Sequence, residues 1–146
     1  MRKIKPQQIF CAGDLADPHG THKVCLDIIL AALEVIKKEK DNEWLKDCYV
    51  WLYKGAWEEW DISEIEMAVP MSPEQVRKKR YGIFIHQSQK DSVPFQGNDE
   101  REFWQRAEER NANTANSYAN LGLTKYAAIE AFVRLKSALE DNEIEY

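Results

Sequence analysis

The sequence predicts an α/β fold with a Rossmann-like open sheet that is rich in helix and lacks its first strands. Short β-prone runs at residues 9–12 and 48–53 flank a long segment of helical apolar periodicity, residues 23–40. Helical patterns dominate the second half, so the predicted order is strand, helix, strand, strand, helix, helix, helix. Two or three strands make a small sheet. We therefore interpret the chain as the later portion of a larger α/β domain.

The length of 146 residues and a hydrophobic content of 44% are those of one domain with a packed core. We assign residues 1–140 to this domain and residues 141–146 to an acidic tail. The net charge is −5 and no stretch is dense in Lys or Arg, which argues against a nucleic-acid partner. No apolar run approaches the roughly 20 residues that span a bilayer. No signal peptide is recognised, so the cytoplasm is the expected location.

The predicted elements of the first half follow from apolar spacing. Residues 48–53 form an unbroken apolar run, typical of a strand covered on both faces, as in parallel sheets. Residues 65–69 alternate as a strand does. In the helix at 23–40, the expected buried residues are Val24, Ile28, Ala31 and Val35, extended by Cys25, Ile29, Ala32 and Ile36.

In the second half of the chain, the sequence predicts three helices. Ser72, Pro73 and Gln75 form a helix start with a capping box, and that helix should run to about residue 89. A helix from about 99 should end near Gly122. A last helix is predicted at 125–139, and its inward residues would be Ala128, Phe132, Leu135 and Leu139.

Three groups of side chains have expected roles outside the motifs, and the role of the tryptophans has two alternatives. The cysteines, Cys11, Cys25 and Cys48, lie in apolar segments, which predicts buried free thiols in a reducing compartment. The acidic cluster of Glu58, Glu59 and Asp61 is expected to be a solvated face. The tryptophans either pack in the core or stack on a sugar ring; they are Trp51, Trp57 and Trp60.

The most informative stretch is residues 13–22, GDLADPHGTH, which lies between a predicted strand and a predicted helix. Open α/β sheets bind ligands at the carboxyl ends of their strands. His19 and His22 are three residues apart beside Asp14 and Asp17, and imidazole with carboxylate suits zinc. The stretch therefore predicts the edge of a metal-dependent active site. In the alternative reading, the histidines cap the helix and the aspartates form turns.

Two signatures in order resemble the LmbE/PIG-L family of zinc-dependent N-deacetylases of amino sugars, which have a Rossmann-like fold. The first is the Asp-Pro-His-Gly-Thr-His of residues 17–22, and the second is the His-Gln-Ser-Gln of residues 86–89. The pattern also resembles the deacetylase-like domain fused behind a glucosamine-6-phosphate deaminase in some bacterial proteins. The resemblance covers roughly residues 8–132.

The resemblance implies a role for each site residue. By position His22 matches the family's metal ligand, and His19 matches a histidine thought to stabilise the oxyanion. Asp14, Asp17, His86 and Gln89 are candidates for supporting the site. The chain lacks the family's opening His-Pro-Asp-Asp motif, and Gly20 and Thr21 replace the usual Pro and Asp. The other zinc ligands would come from a preceding segment or a partner chain.

The expected function is metal-dependent hydrolysis of an N-acyl amide on an amino sugar, with this chain as an incomplete portion of the enzyme. The alternative is a non-catalytic interaction or regulatory domain joined to a sugar-phosphate deaminase or isomerase. The expected small-molecule partner is an amino sugar or sugar phosphate. Because a sheet without its opening strands exposes an edge, we expect a homo-oligomer or docking on a missing N-terminal segment.

Overall fold

The computed structural model describes residues 1–13, 20–56, 58–87 and 100–135. Within these ranges the fold is α/β, as predicted, with a four-stranded mixed sheet and three α-helices. A 3-10 helix at Glu43–Asp47 precedes the second strand. In chain order the elements are β1 (Gln8–Ala12), α1 (Thr21–Lys37), β2 (Tyr49–Tyr53), β3 (Met67–Met71), α2 (Pro73–Ile85), α3 (Phe103–Asn120) and β4 (Ala128–Leu135).

The sheet has the order β1-β2-β4-β3. β1 and β2 are parallel, with Gln8 opposite Tyr49 and Ala12 opposite Tyr53. β4 is antiparallel to both β2 and β3. The expected parallel pairing is therefore confirmed for β1 and β2 alone, and the Rossmann-like arrangement remains a prediction.

The prediction of a last helix at residues 125–139 is wrong, because residues 128–135 form β4. β4 lies between β2 and β3 and pairs with both. Its residues Ala128, Ile129 and Ala131 are buried on both faces of the sheet. Alanine and leucine at helical spacing produced the wrong prediction, and pairing with two neighbouring strands overrides that weak local preference.

Helices cover opposite faces of the sheet. Because side chains alternate along a strand, Val50 and Leu135 share one face, and both belong to the core formed with α1. Glu130 lies on the other face of β4, where it meets Arg110 of α3. α1 therefore covers one face beside β1 and β2, while α2 and α3 cover the other face beside β3 and β4.

Only part of the predicted apolar face of α1 is buried: Ile36 lies in the core and Ile29 packs against it, as expected. Its buried residues are Leu26, Leu33 and Ile36. Val24 and Ile28, which were expected to be buried, are 57% and 63% exposed. Apolar residues cover most of the circumference of this helix, so periodicity alone does not distinguish which part of that surface faces the core.

The other helices match the predicted patterns more closely. The capping box of α2 is confirmed: the Ser72 hydroxyl accepts from the Gln75 N–H, and the Gln75 side chain accepts from the Ser72 N–H. α2 ends at Ile85 rather than near residue 89. In the described part of the chain, no helix has the length and apolarity needed to cross a bilayer. The predicted tail and Trp57 lie outside the described residues.

One of the three cysteines contradicts the prediction of buried thiols. Cys11 and Cys48 are buried in the core, but Cys25 is exposed on α1. Burial raises the pKa of the Cys11 thiol to about 11, and burial likewise raises the pKa of Cys48. All three are free cysteines.

We therefore expect only Cys25 to react rapidly in the native protein, because thiolate character and access control cysteine alkylation. Mass spectrometry after brief treatment with iodoacetamide should show one modified peptide, and denaturation should expose the other two thiols. Cys25→Ser should abolish the fast reaction. Rapid native labelling of Cys11 would contradict the packing of β1 against α1.

Candidate functional site

The carboxyl ends of the two parallel strands lie side by side, and the chain continues from β1 into the histidine-bearing stretch, residues 13–22. The Gly13 N–H donates to the Tyr53 carbonyl at 2.8 Å, which continues the pairing of β1 with β2. Gly20 has φ 65°, a left-handed conformation that glycine adopts without strain. α1 begins at Thr21, two residues earlier than predicted, so half-buried His22 lies in the first turn of the helix.

The remaining predicted site residues divide between described and undescribed parts of the chain. Asp14, Asp17, His19 and Gln89 lie outside the described residues, so their roles stay predictions. His86 is exposed at the carboxyl end of α2. Because α2 packs on β3 and α1 on β1, His86 and His22 belong to helices at opposite edges of the sheet.

The described residues do not by themselves provide a complete metal site. Across residues 1–13, 20–56, 58–87 and 100–135, no group of three or more His, Cys, Asp or Glu side chains is arranged to hold a metal ion. A zinc ion bound at His22 would therefore need donors from residues outside the described ranges, such as 14–19, or from beyond this chain.

The same end of the sheet carries a cavity of about 460 Å³, within the usual size range of small-molecule pockets. It lies between the segment that follows β2 and one face of α3. The first wall is largely apolar and includes Ala56, Trp60, Ile62 and Ile65. The α3 wall is polar and comprises Arg106, Glu109, Arg110, Asn113, Thr114 and Ser117.

Arg110 joins the two walls and the sheet. Its guanidinium donates to Glu59 at 2.8 Å and to Glu130 at 2.6 Å. The Thr114 hydroxyl also donates to Glu59, at 2.8 Å. The expectation that Glu59 belongs to a solvated face is therefore wrong, whereas its neighbours Glu58 and Asp61 are exposed.

Glu130 brings a carboxylate from the central strand into this network. It is paired with Arg110 and with Lys79 of α2, whose ammonium also donates to Asn111 at 2.7 Å. Burial acts to raise the pKa of Glu130, but the charges of Arg110 and Lys79 outweigh it and lower the pKa.

The lowered pKa predicts a pH-dependent stability. A carboxyl group whose pKa is lower in the folded state stabilises the fold above its unfolded pKa, and this stabilisation disappears as pH falls through the folded pKa. Urea unfolding between about pH 7 and pH 3 should therefore show a loss of stability on acidification. Glu130→Gln should flatten this dependence, and Glu74→Gln, at an exposed site on α2, should not. A wild-type pH slope in Glu130→Gln would contradict the assignment.

Trp60 connects the cavity to the histidine-bearing stretch. A Cβ placed on Gly13 would lie 3.1 Å from the Trp60 ring, so the two residues are in close contact. The Lys54 ammonium lies 4.4 Å from the centre of the same ring. Trp60 Nε1 and Arg110 Nε are buried atoms with no hydrogen-bond partner within the described part of the chain.

Sequence reasoning found the stretch at residues 13–22 but missed the Arg110 network. The signal that was present is a set of polar residues on the buried stripe of α3, namely Arg110, Asn111 and Thr114. Buried polar side chains require partners. Those partners are far away in sequence, so the pattern alone does not identify them.

Comparison with known proteins identified a long relative. The chain is 62% identical over 133 residues to a glucosamine-6-phosphate deaminase-like protein of Bacteroides thetaiotaomicron. The match covers 91% of this chain, which spans about a fifth of the relative's length. No family model matches the sequence. No solved structure matches it either.

Proposed function

We propose that this chain is the part of a glucosamine-6-phosphate deaminase-like polypeptide that contributes His19 and His22 to a metal-dependent N-deacetylase site acting on an amino sugar. The observation that carries the proposal is His22 in the first turn of α1, the helix that follows β1, whose carboxyl end pairs in parallel with that of β2. Ligand sites occur at this position in open α/β sheets. The name of the long relative supports a link to amino-sugar metabolism.

In this proposal His22 binds zinc and His19 donates a hydrogen bond to the developing oxyanion. A zinc ion held by His22 would supply activation of water for attack on the amide carbonyl. Asp14 and Asp17 orient the loop, and the remaining donors come from residues beyond this chain. The cytoplasm remains the proposed location, and assembly with a second copy or an upstream segment remains the proposed route to a complete site.

The second candidate is a non-catalytic regulatory or interaction domain of the same polypeptide. It is favoured by the lack of a three-donor metal cluster among the described residues. The two candidates differ in whether zinc is bound at His22 when the residues encoded upstream of Met1 are included.

The deciding experiment measures bound zinc and acetate release from N-acetylglucosamine 6-phosphate in such an extended protein. His22→Ala should weaken zinc binding by about 10-fold or more, since even changes in groups that merely orient a ligand cost that much. His19→Ala should keep zinc and lose turnover. His86→Ala, at the other edge of the sheet, should keep zinc. Normal zinc binding by His22→Ala would exclude His22 as a metal ligand, and an extended protein that releases no acetate would favour the regulatory domain.

A further inference from the structure

Cys25 lies on α1 one helical turn after His22. Residues three apart on a helix are neighbours on its surface, with Cβ atoms about 5–6 Å from each other. The same spacing brings a glutamate and a histidine to one metal centre in the di-iron carboxylate proteins of the four-helix type. The imidazole of His22 and the thiol of Cys25 are therefore spaced as two donors to a single metal ion.

Cys25 also lies near the end of the sheet from which the histidine-bearing stretch begins. Tyr53 is the last residue of β2 and pairs with Ala12, the last residue of β1. Burial raises the pKa of Tyr53, and Cys25 is among the groups whose charge raises it further. The thiol is therefore within electrostatic range of the carboxyl end of β2. Ligands bind at this end of the strands in open α/β sheets.

Cys25 differs from the other two cysteines in being accessible to a metal ion. It is exposed, whereas Cys11 and Cys48 are buried in the core. A coordinating thiol is deprotonated, and thiolate sulfur together with imidazole suits zinc. Magnesium prefers oxygen ligands and keeps several of its waters. A metal ion that binds between His22 and Cys25 is therefore zinc or a similar transition-metal ion rather than magnesium.

We infer that Cys25 is a metal ligand and that its sulfur binds, together with the imidazole of His22, one zinc ion. The thiol loses its proton to solvent when the metal binds. Two donors from the chain leave the other positions of the metal open to water. The inference rests on the proposed function for the role of His22, and it adds a ligand that the resemblance to the zinc-dependent N-deacetylases does not imply.

The test uses the full 146-residue chain, which is freed of metal with EDTA, dialysed and then titrated with cobalt(II). A cobalt–thiolate bond produces a charge-transfer absorption in the near ultraviolet that imidazole ligands alone do not produce. The wild-type chain should develop this absorption saturably, and Cys25→Ser should lose it. His22→Ala should weaken cobalt binding about 10-fold or more, the loss that even changes in groups orienting a ligand cause.

His86→Ala is the matched control for His22→Ala. His86 is exposed at the carboxyl end of α2, and the residues three and four positions before it, Ile83 and Gly82, carry no metal-binding group. This variant removes a histidine without removing a pair of donors. It should therefore bind cobalt as the wild-type chain does and keep the full charge-transfer absorption.

Alkylation of Cys25 measures the same bond with zinc itself. Zinc at about ten times its dissociation constant should slow the reaction of Cys25 with iodoacetamide about 10-fold, because only the metal-free fraction reacts. Magnesium at the same concentration should leave the rate unchanged, and excess EDTA should restore the rate that is seen without zinc.

The inference is overturned if the wild-type chain shows no thiolate absorption, or if zinc does not slow the alkylation of Cys25. It is also overturned if Cys25→Ser binds cobalt as tightly as the wild-type chain. When only His22→Ala then loses affinity, His22 remains a ligand and the proposed function stands without Cys25. When neither variant loses affinity, the metal binds elsewhere, and the assignment of His22 as a ligand is overturned as well.

Discussion

Arg110→Ala is expected to lower the free energy of unfolding by about 3–5 kcal/mol, the cost of breaking a buried ion pair by removing one partner. The substitution leaves Glu59 and Glu130 without the guanidinium that holds both. Glu130 keeps Lys79, but Glu59 keeps only the Thr114 hydroxyl and the Trp60 backbone N–H among its described partners, and neither carries a charge. Urea denaturation at neutral pH, analysed by linear extrapolation, measures the loss.

Arg2→Ala is the matched control, because it removes an arginine from an exposed pair with Glu39. The Arg2 side chain is 65% exposed, and exposed pairs contribute about 0–1 kcal/mol. If Arg110→Ala is no more destabilising than Arg2→Ala, the Arg110 network does not hold α3 to the sheet.

Gly13→Ala is expected to destabilise the protein by about 1–3 kcal/mol, the usual cost of forcing extra volume into a packed site. The new methyl carbon would lie 2.8 Å from Leu52 Cβ, which is too close to be accommodated without movement of the strand. It would also press on Trp60 at 3.1 Å. Thermal unfolding followed by circular dichroism measures the effect.

Gly82→Ala is the matched control for Gly13→Ala: it adds the same methyl group, and the expected change in stability has the opposite sign. Gly82 is an exposed position in α2, and a Cβ there meets no atom within 4 Å. Replacing a glycine by alanine inside a helix should stabilise the protein by up to about 1 kcal/mol. A Gly13→Ala protein as stable as wild type would show that the strand ends yield easily, and would remove the steric reason for glycine at that position.

Local patterns predicted the elements whose formation depends mainly on neighbouring residues. β1 and the capped start of α2 are examples, since breakers and a capping box mark them in the sequence. β4 could not be recognised in this way, because its strand conformation depends on pairing with β2 and β3, whose residues are distant in sequence. The face of α1 that packs on the sheet was also not predictable, since apolar residues of the helix itself cover most of its circumference.

The candidate site was predictable to the same extent. The position of His22 follows from a strand, a glycine-rich loop and a helix that are adjacent in the sequence. The cavity was not predictable, because Arg110 meets Glu59 across 51 residues and Glu130 across 20. The sequence alone does not distinguish core packing of Trp60 from contact with a ligand; in the structure Trp60 lines the cavity.

The central position of β4 has a consequence for the chain as it leaves the ribosome. β2 and β3 do not pair with each other, and the strand that separates them is made after both. Until residues 128–135 emerge, each of these nascent strands has an open edge that can pair with another chain. The sheet cannot be completed before this late segment is available. Folding therefore depends on contacts between residues distant in sequence, and it is expected to be slow relative to helix formation.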